Sequence, residues 1–199
     1  TTEASCLEKW KRLQVKMKES VNAGQLFSQG IVSTYSLAYT TNNAYIGGVL
    51  APNGDIHFIP YNAGVGQKIS LAGVVSTYSL IYTTTSAYYG GVLNSNGDVH
   101  FIPYKSTVGQ KVSSSGVVST YSLVKTGDNM YSGGVVAPNG YIHFVPFNAS
   151  VGQKISVSGV VSTYPLARTG FGSHIGGVLA PNGDIHFIPN SSPVGQKIS

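Results

Sequence analysis

The sequence predicts an all-β fold: a four-bladed β-propeller of 43-residue, four-stranded blades, preceded by one amphipathic N-terminal helix. Three observations predict it: a tandem repeat of constant period, four strand-like segments in every repeat, and a composition suited to strands and turns. The 199 residues include 25 Gly and 13 Tyr, 42% are hydrophobic and only 10% are charged. This balance excludes a disordered chain and favours short strands joined by tight turns.

The repeat is defined by three motifs that recur every 43 residues. Val-Ser-Thr-Tyr begins at Val32, Val75, Val118 and Val161. Gly-Gly-Val begins at Gly47, Gly90, Gly133 and Gly176, and Val-Gly-Gln-Lys begins at Val65, Val108, Val151 and Val194. The chain therefore divides into a leader, residues 1–27, and four units, residues 28–70, 71–113, 114–156 and 157–199.

Each blade contains four predicted strands, which in the first blade span residues 47–51, 55–60, 67–70 and 73–83, the last of them at the start of the next unit. A Pro-Asn-Gly turn joins the first two strands in a hairpin. The glycine-rich strand is placed innermost, because glycines allow blades to crowd around an axis. Residues 31–40 then form an outer strand that completes the last blade and closes the ring, within one chain or by exchange between two. A solenoid or prism-like stack is the alternative.

The hairpin at residues 47–60 returns at 90–103, 133–146 and 176–189 with little change. It resembles the inner hairpin of repeat propellers of the kelch and YVTN type, in which a strand, a Pro-Asn/Asp-Gly turn and an apolar strand recur in each blade. The resemblance covers residues 28–199 and implies the fold alone, because propellers include lectins, scaffolds, hydrolases and structural proteins.

The leader is predicted to form an amphipathic helix. Ser5 and Glu8 form a capping-box pattern at its start. An apolar stripe then follows at helical spacing, made by Leu7, Trp10, Leu13 and Met17. The stripe is expected to pack on the propeller or to dock on a neighbouring subunit, so we expect a protein partner or self-association through this helix. Its basic polar face makes a membrane surface a third acceptor.

Symmetry-related polar residues are predicted to be structural. The histidines at positions 57, 100, 143 and 186 are expected to hydrogen-bond a hydroxyl or carbonyl between blades rather than to bind a metal. Ser122 and Lys125 match a Ser-x-x-Lys pattern, but in a strand this spacing does not bring the two groups together. Cys6 is the only cysteine, which excludes an internal disulfide and a cysteine-based zinc site. No metal, cofactor or catalytic residue is predicted.

The loops that differ most between units lie on one predicted face of the propeller. They are the connections at residues 41–46, 84–89, 127–132 and 170–175, together with the loops after each second strand. Rigid scaffolds often carry binding residues on such loops. The candidate binding residues are Asn43, Tyr45, Tyr88, Tyr89, Asp128, Asn129, Tyr131, Phe171 and His174.

The sequence by itself favours a non-enzymatic binding or assembly module, a propeller scaffold attached through its helix and suited to a cell-surface or virion component. The alternative is a multivalent lectin whose ligand is a glycan, and a hydrolase comes third. The net charge of +5 is dispersed, which argues against nucleic-acid binding. No apolar run reaches the ~18 residues of a membrane span. The compartment is not determined, although an extracellular, surface or virion location is favoured.

Overall fold

The computed structural model describes residues 32–199, which form four antiparallel sheets. The first sheet contains β1 (Tyr45–Leu50), β2 (Ile56–Pro60), β3 (Val65–Ile69) and β4 (Val75–Ser79). The second contains β5 (Tyr88–Leu93), β6 (Val99–Pro103), β7 (Val108–Val112) and β8 (Val118–Ser122). The third contains β9 (Tyr131–Val136), β10 (Ile142–Pro146), β11 (Gly152–Ile155) and β12 (Val161–Tyr164). The fourth contains β13 (His174–Leu179), β14 (Ile185–Pro189) and β15 (Gln196–Ile198).

The strands of every sheet are neighbours in chain order, so each sheet is a simple antiparallel meander. The hairpin turn is fixed locally: Gly54 has a φ of 86°, and the side-chain oxygen of Asn53 accepts a hydrogen bond from the Asp55 amide. The four sheets with their tandem repeat confirm the predicted all-β blades. The predicted leader helix, with Leu7, Trp10, Leu13 and Met17, lies outside the described residues.

The Gly-Gly pair of each first strand has two separate structural roles. The first glycine of the pair adopts a positive φ, 76° at Gly47, at the point where the register of β1 against β2 shifts. The second glycine leaves space for the preceding sheet: a Cβ at Gly91 would lie 2.5 Å from Cδ1 of Ile59. First strands therefore pack in the order β1, β5, β9, β13, as the innermost placement predicted.

The packing of the sheets does not close into a ring within one chain. No comparable contact joins β13 to β1, although both strands belong to the described residues. The fourth sheet has three strands, and residues 32–40 of the predicted donor strand form no strand. The ring closure expected from the sequence is therefore absent from residues 32–199.

The predicted outer strand is also too long. In the first sheet it ends at Ser79, because the chain then crosses to the second sheet. There, the side-chain oxygen of Gln110 accepts hydrogen bonds from the amides of Ile81 and Tyr82, at 3.0 and 2.9 Å. In the same manner, Gln67 accepts hydrogen bonds from the amides of Ala38 and Tyr39. Gln153 accepts them from the amides of Val124 and Lys125. The glutamine of the Val-Gly-Gln-Lys motif thus anchors the crossing segment.

Candidate functional site

The loops between sheets are held together by backbone hydrogen bonds on one face. The carbonyl oxygen of Tyr61 accepts from the Ala87 amide at 2.9 Å, which joins the first sheet to the second. The carbonyls of Tyr104 and Phe147 accept from the amides of Met130 and Ser173, each at 2.8 Å. Buried backbone groups are thereby paired across every junction. This loop face is therefore a continuous, pre-positioned surface rather than four separate loops.

Five aromatic side chains form an unbroken line across the loop face, which we call the aromatic ridge. Its members are Tyr61, Tyr89, Tyr104, Phe147 and Phe171. Neighbouring ring centroids lie between 5.2 Å, for Tyr89 and Tyr104, and 6.2 Å, for Phe147 and Phe171. Such separations and tilts are those of favourable aromatic pairs. Phe171 is 80% exposed, and the other four rings are half-buried.

The ridge is built from the same backbone positions that carry the junction hydrogen bonds. Tyr61, Tyr104 and Phe147 directly follow β2, β6 and β10, and they occupy the same place in three successive units. Tyr89 lies in β5, and Phe171 lies in the connection to β13. Because the carbonyls of the first three residues are bonded to the next sheet, their side chains start from fixed backbone. The ridge can bind flat apolar rings at little cost in side-chain ordering.

Two of the sequence-predicted site residues, Tyr89 and Phe171, are members of the aromatic ridge. The other aromatic candidates lie inside the sheets. The hydroxyls of Tyr45, Tyr88 and Tyr131 donate to the carbonyls of Val65, Val108 and Val151. Burial raises the pKa of Tyr45 to about 12, and Tyr88 and Tyr131 have no exposed surface. These three hydroxyls are occupied by structural hydrogen bonds.

His174 takes the place of these tyrosines in the fourth sheet. Its side chain is fully buried beside Phe187, with the two ring centroids 5.9 Å apart. Neither ring nitrogen has a hydrogen-bond partner among residues 32–199. Burial lowers the pKa of His174 below its ordinary value, which keeps the imidazole neutral.

The remaining candidates lie in the turns that lead into the first strands. Asn43 and Asn129 have φ values of 52° and 54°, a conformation that asparagine tolerates better than most residues. Asp128 and Asn43 are exposed, and Asn129 is half-buried. The positive φ is therefore a structural reason for asparagine at both positions.

Sequence reasoning missed Tyr61, Tyr104 and Phe147 as site residues. All three lie in loops that were identified as variable, and their aromatic character in three of four units was the available signal. The rest of each loop differs between units, so a comparison that selects variable positions does not select these three. The ridge depends on the aromatic character that they share.

The repeated histidines do not contribute to the loop face. Nδ1 of His57 lies 3.1 Å from the Tyr78 hydroxyl, and His100 and His143 make the same contact with Tyr121 and Tyr164 at 3.3 Å. The predicted hydroxyl partner is confirmed for three of the four histidines, although it lies in the same sheet rather than between sheets; His186 is exposed and makes no such contact within residues 32–199. Burial lowers the pKa of His100 and of His143 to about 4. These imidazoles are neutral structural groups.

The symmetric charges are likewise paired. Lys68 lies 2.6 Å from Asp55, Lys111 lies 2.6 Å from Asp98, and Lys197 lies 2.7 Å from Asp184. In the third sheet Tyr141 replaces the aspartate, and the Lys154 ammonium lies 5.1 Å from its ring centroid. Within the part of the chain that is described, no group of three histidine, cysteine or acidic residues could hold a metal ion, and no helix could span a membrane.

No protein-family model matches the chain, and no curated protein matches its sequence. Solved structures match its fold. A virginiamycin B lyase from Staphylococcus aureus is 21% identical with a TM-score of 0.68, and the match covers 80% of this chain and 53% of the lyase. A catalytically inactive histidine-to-alanine variant of that lyase, with quinupristin, is 17% identical with a TM-score of 0.72, covering 87% and 61%. A streptogramin B lyase structure is 20% identical with a TM-score of 0.65, covering 80% and 56%.

These comparisons establish the propeller-like fold of the repeated sheets. The chain spans only 53 to 61% of the length of these three neighbours. None of the neighbours named here is a kelch or YVTN protein, so that part of the resemblance stays a prediction.

The comparisons contradict the prediction of a non-enzymatic assembly module, and they do not support the lectin alternative. Structures that share the fold are named as lyases, and a gluconolactonase-type protein matches with 14% identity and a TM-score of 0.58. The prediction depended on the lack of a catalytic motif in the sequence. A propeller distributes its functional residues over separate loops, so the lack of a local motif does not exclude an enzyme.

Proposed function

We propose that the chain is part of a propeller enzyme that binds a small organic substrate bearing apolar rings on the aromatic ridge. The observation that carries the proposal is the unbroken line of five rings on hydrogen-bonded loops. A surface of this kind offers ring faces and edges at fixed positions, which suits a ligand with several flat or apolar groups.

The similar structures support a small-molecule substrate. One of them is named as containing quinupristin, and others are named for virginiamycin B, for streptogramin B and as gluconolactonase-type. Because the sequence identities are only 14 to 21%, the support comes from the shared fold and not from shared residues. Virginiamycin B is therefore the first probe to use.

The reaction residues of the proposed enzyme must come from groups that are free to react. His57, His100 and His143 are each held by a tyrosine hydroxyl, and Asp55, Asp98 and Asp184 are each held by a lysine. His174 has no exposed surface, so a substrate on the aromatic ridge does not reach its imidazole. These seven side chains are therefore not assigned a catalytic role.

The test measures binding and turnover of virginiamycin B by the full chain. Binding is followed by tyrosine fluorescence, and turnover by mass spectrometry of the product. Tyr104→Ala removes the central ring of the ridge and is expected to weaken binding roughly tenfold, since an aromatic contact contributes about 1 kcal/mol beyond its buried area.

The matched control is Tyr141→Ala. This tyrosine follows a hairpin turn at the opposite end of its sheet and contacts Lys154, so its removal should leave binding unchanged. Equal losses for Tyr104→Ala and Tyr141→Ala would contradict the ridge as the binding surface. A chain that neither binds nor converts the probe contradicts the proposed substrate class.

A further inference from the structure

The two outer sheets of the row present faces that the inner sheets bury. Ile59, Ile102 and Val145 fill the junctions to the next sheet and have no exposed surface. Ile188 occupies the same position in the fourth sheet and is 42% exposed. Val178 is 57% exposed, whereas its counterpart Val135 is 7% exposed. We call this apolar surface the trailing face of the fourth sheet.

The first sheet presents the complementary surface. Ile56 is 40% exposed, whereas Val99, Ile142 and Ile185 at the same position are at most 2% exposed. A Cβ at Gly134 would meet Ile102, and one at Gly177 would meet Val145, in each case from the preceding sheet. Among the described residues, a Cβ at Gly48 would meet only Ile56 and the His57 carbonyl of its own sheet. This leading face of the first sheet is an unfilled socket of the kind that Ile59 fills at Gly91.

The fourth sheet also has an open edge at β15. In the other sheets a tyrosine ring of the fourth strand covers the glycine of Val-Gly-Gln-Lys: Tyr78 covers Gly66, Tyr121 covers Gly109 and Tyr164 covers Gly152. Within residues 32–199 nothing covers Gly195 within 4 Å, and His186 is exposed where its three counterparts contact a tyrosine hydroxyl. A cavity of about 240 Å³, lined in part by Phe187 and Gln196, lies beside this edge.

A strand that fits this edge is present in the chain. Residues 32–36 read Val-Ser-Thr-Tyr-Ser, identical to β4 and β8, yet they are exposed and form no strand. The residues that follow them are already anchored as at an internal junction, because Gln67 accepts the amides of Ala38 and Tyr39. The chain therefore carries both halves of one further junction, one half at each end of the row.

We propose that the trailing face of the fourth sheet packs on the leading face of the first sheet of a second copy of this chain. Residues 32–36 of that second copy then add to β15 as its fourth strand. Residues 32–199 of a single chain do not make this junction, since no contact comparable to those between neighbouring first strands joins β13 to β1. The contact is head-to-tail, so two copies can close a ring or further copies can extend the row.

The internal repeat fixes the register of the added strand. In the first sheet Gly66 pairs with Tyr78, Gln67 with Thr77 and Lys68 with Ser76. The corresponding pairs are Gly195 with Tyr35, Gln196 with Thr34 and Lys197 with Ser33, the second residue of each pair coming from the second copy. Tyr35 then covers Gly195 and its hydroxyl reaches His186. Backbone pairing of this kind supplies affinity, and the side-chain pockets supply specificity.

The test is the mass of the full chain in solution by light scattering after gel filtration. A mass of two or more times 20.9 kDa is expected. Ile188→Glu places a charge in the trailing face, and Gly48→Leu fills the socket of the leading face; each variant alone is expected to be monomeric. An equimolar mixture of the two is expected to form dimers, because each supplies the intact face that the other lacks. A symmetric face-to-face contact would not be restored in this way.

Val117→Glu is the control, since Val117 is 61% exposed but lies at a turn of the second sheet. It should leave the mass unchanged. Tyr35→Ala is the second variant: Tyr35 has no strand partner within residues 32–199, and its loss should weaken association about tenfold or more. Circular dichroism checks that each variant is folded. A monomeric unsubstituted chain, or an assembly that Ile188→Glu and Tyr35→Ala leave intact, would overturn the proposal.

Discussion

The inner and outer sheets of this protein have almost the same sequence and different environments. Ile102 in the second sheet has no exposed surface, whereas Ile188 in the fourth sheet is 42% exposed. Both follow a His-Phe pair in the second strand of their sheets. The difference shows that the repeat specifies the sheet and both of its faces, while burial depends on whether a neighbouring sheet is present.

The largest expected effect comes from shortening the two isoleucines in the dilute single chain. Ile102→Ala should lower the free energy of unfolding by about 4 kcal/mol, because it leaves a cavity in a closed junction. Ile188→Ala should cost less than about 1 kcal/mol, because the position is open to solvent. Chemical denaturation of both variants measures the two values. Equal costs would show that Ile188 is covered in the single chain as well.

The glycines under the fourth strands sharpen the comparison. Gly109→Ala should lower the free energy of unfolding by about 2 to 3 kcal/mol, because its Cβ overlaps the Tyr121 ring, which is also held by His100. Gly195→Ala meets nothing within 4 Å and should change stability by less than ~0.5 kcal/mol. Thermal melting of the two variants measures the change in stability that each substitution causes. A tolerated Gly109→Ala would mean that the tyrosine ring can move aside.

The smallest expected effect is on pH dependence. Burial, with Lys154 nearby, lowers the pKa of His143 to about 4, while its ordinary value is 6.5. Between these values the unfolded chain binds a proton that the folded chain does not, so stability falls as pH decreases from about 6.5 to about 4. His143→Gln should flatten this fall, and the exposed His186→Gln serves as the control. Melting temperatures measured across this range test the prediction; an unchanged slope in His143→Gln would contradict it.

The strand pattern could be read from sequence because its causes are local. The Pro-Asn-Gly turn and the β-branched strands depend on neighbouring residues. The 43-residue period is visible directly as recurring motifs. The histidine–hydroxyl contact was also predicted, although its partner was expected in another sheet. The end of the outer strand at Ser79 was not, because it depends on Gln110 of the next sheet.

The aromatic ridge could be predicted only in part. Tyr89 and Phe171 were selected because they lie in variable loops, but Tyr88 and Tyr131 were selected by the same criterion and are buried. Adjacent residues in a strand face opposite sides of the sheet. The bulge at the Gly-Gly pair determines which of the two sides each residue faces. Tyr104 approaches Tyr89 of its own sheet and Phe147 of the next sheet, and these residues are far apart in the sequence, so no local pattern reveals the contacts.

By itself the sequence determined the all-β class, the number of repeats and the strand order within a blade. These follow from periodicity and turn chemistry, which act over a few residues. Only the tertiary structure shows that the row of sheets stays open within residues 32–199, that the preceding sheet packs against the second glycine of each pair, and that five rings meet on one face. Those features depend on the angle and distance between successive sheets, and these are set by contacts between residues far apart in the sequence, such as Ile59 and Gly91.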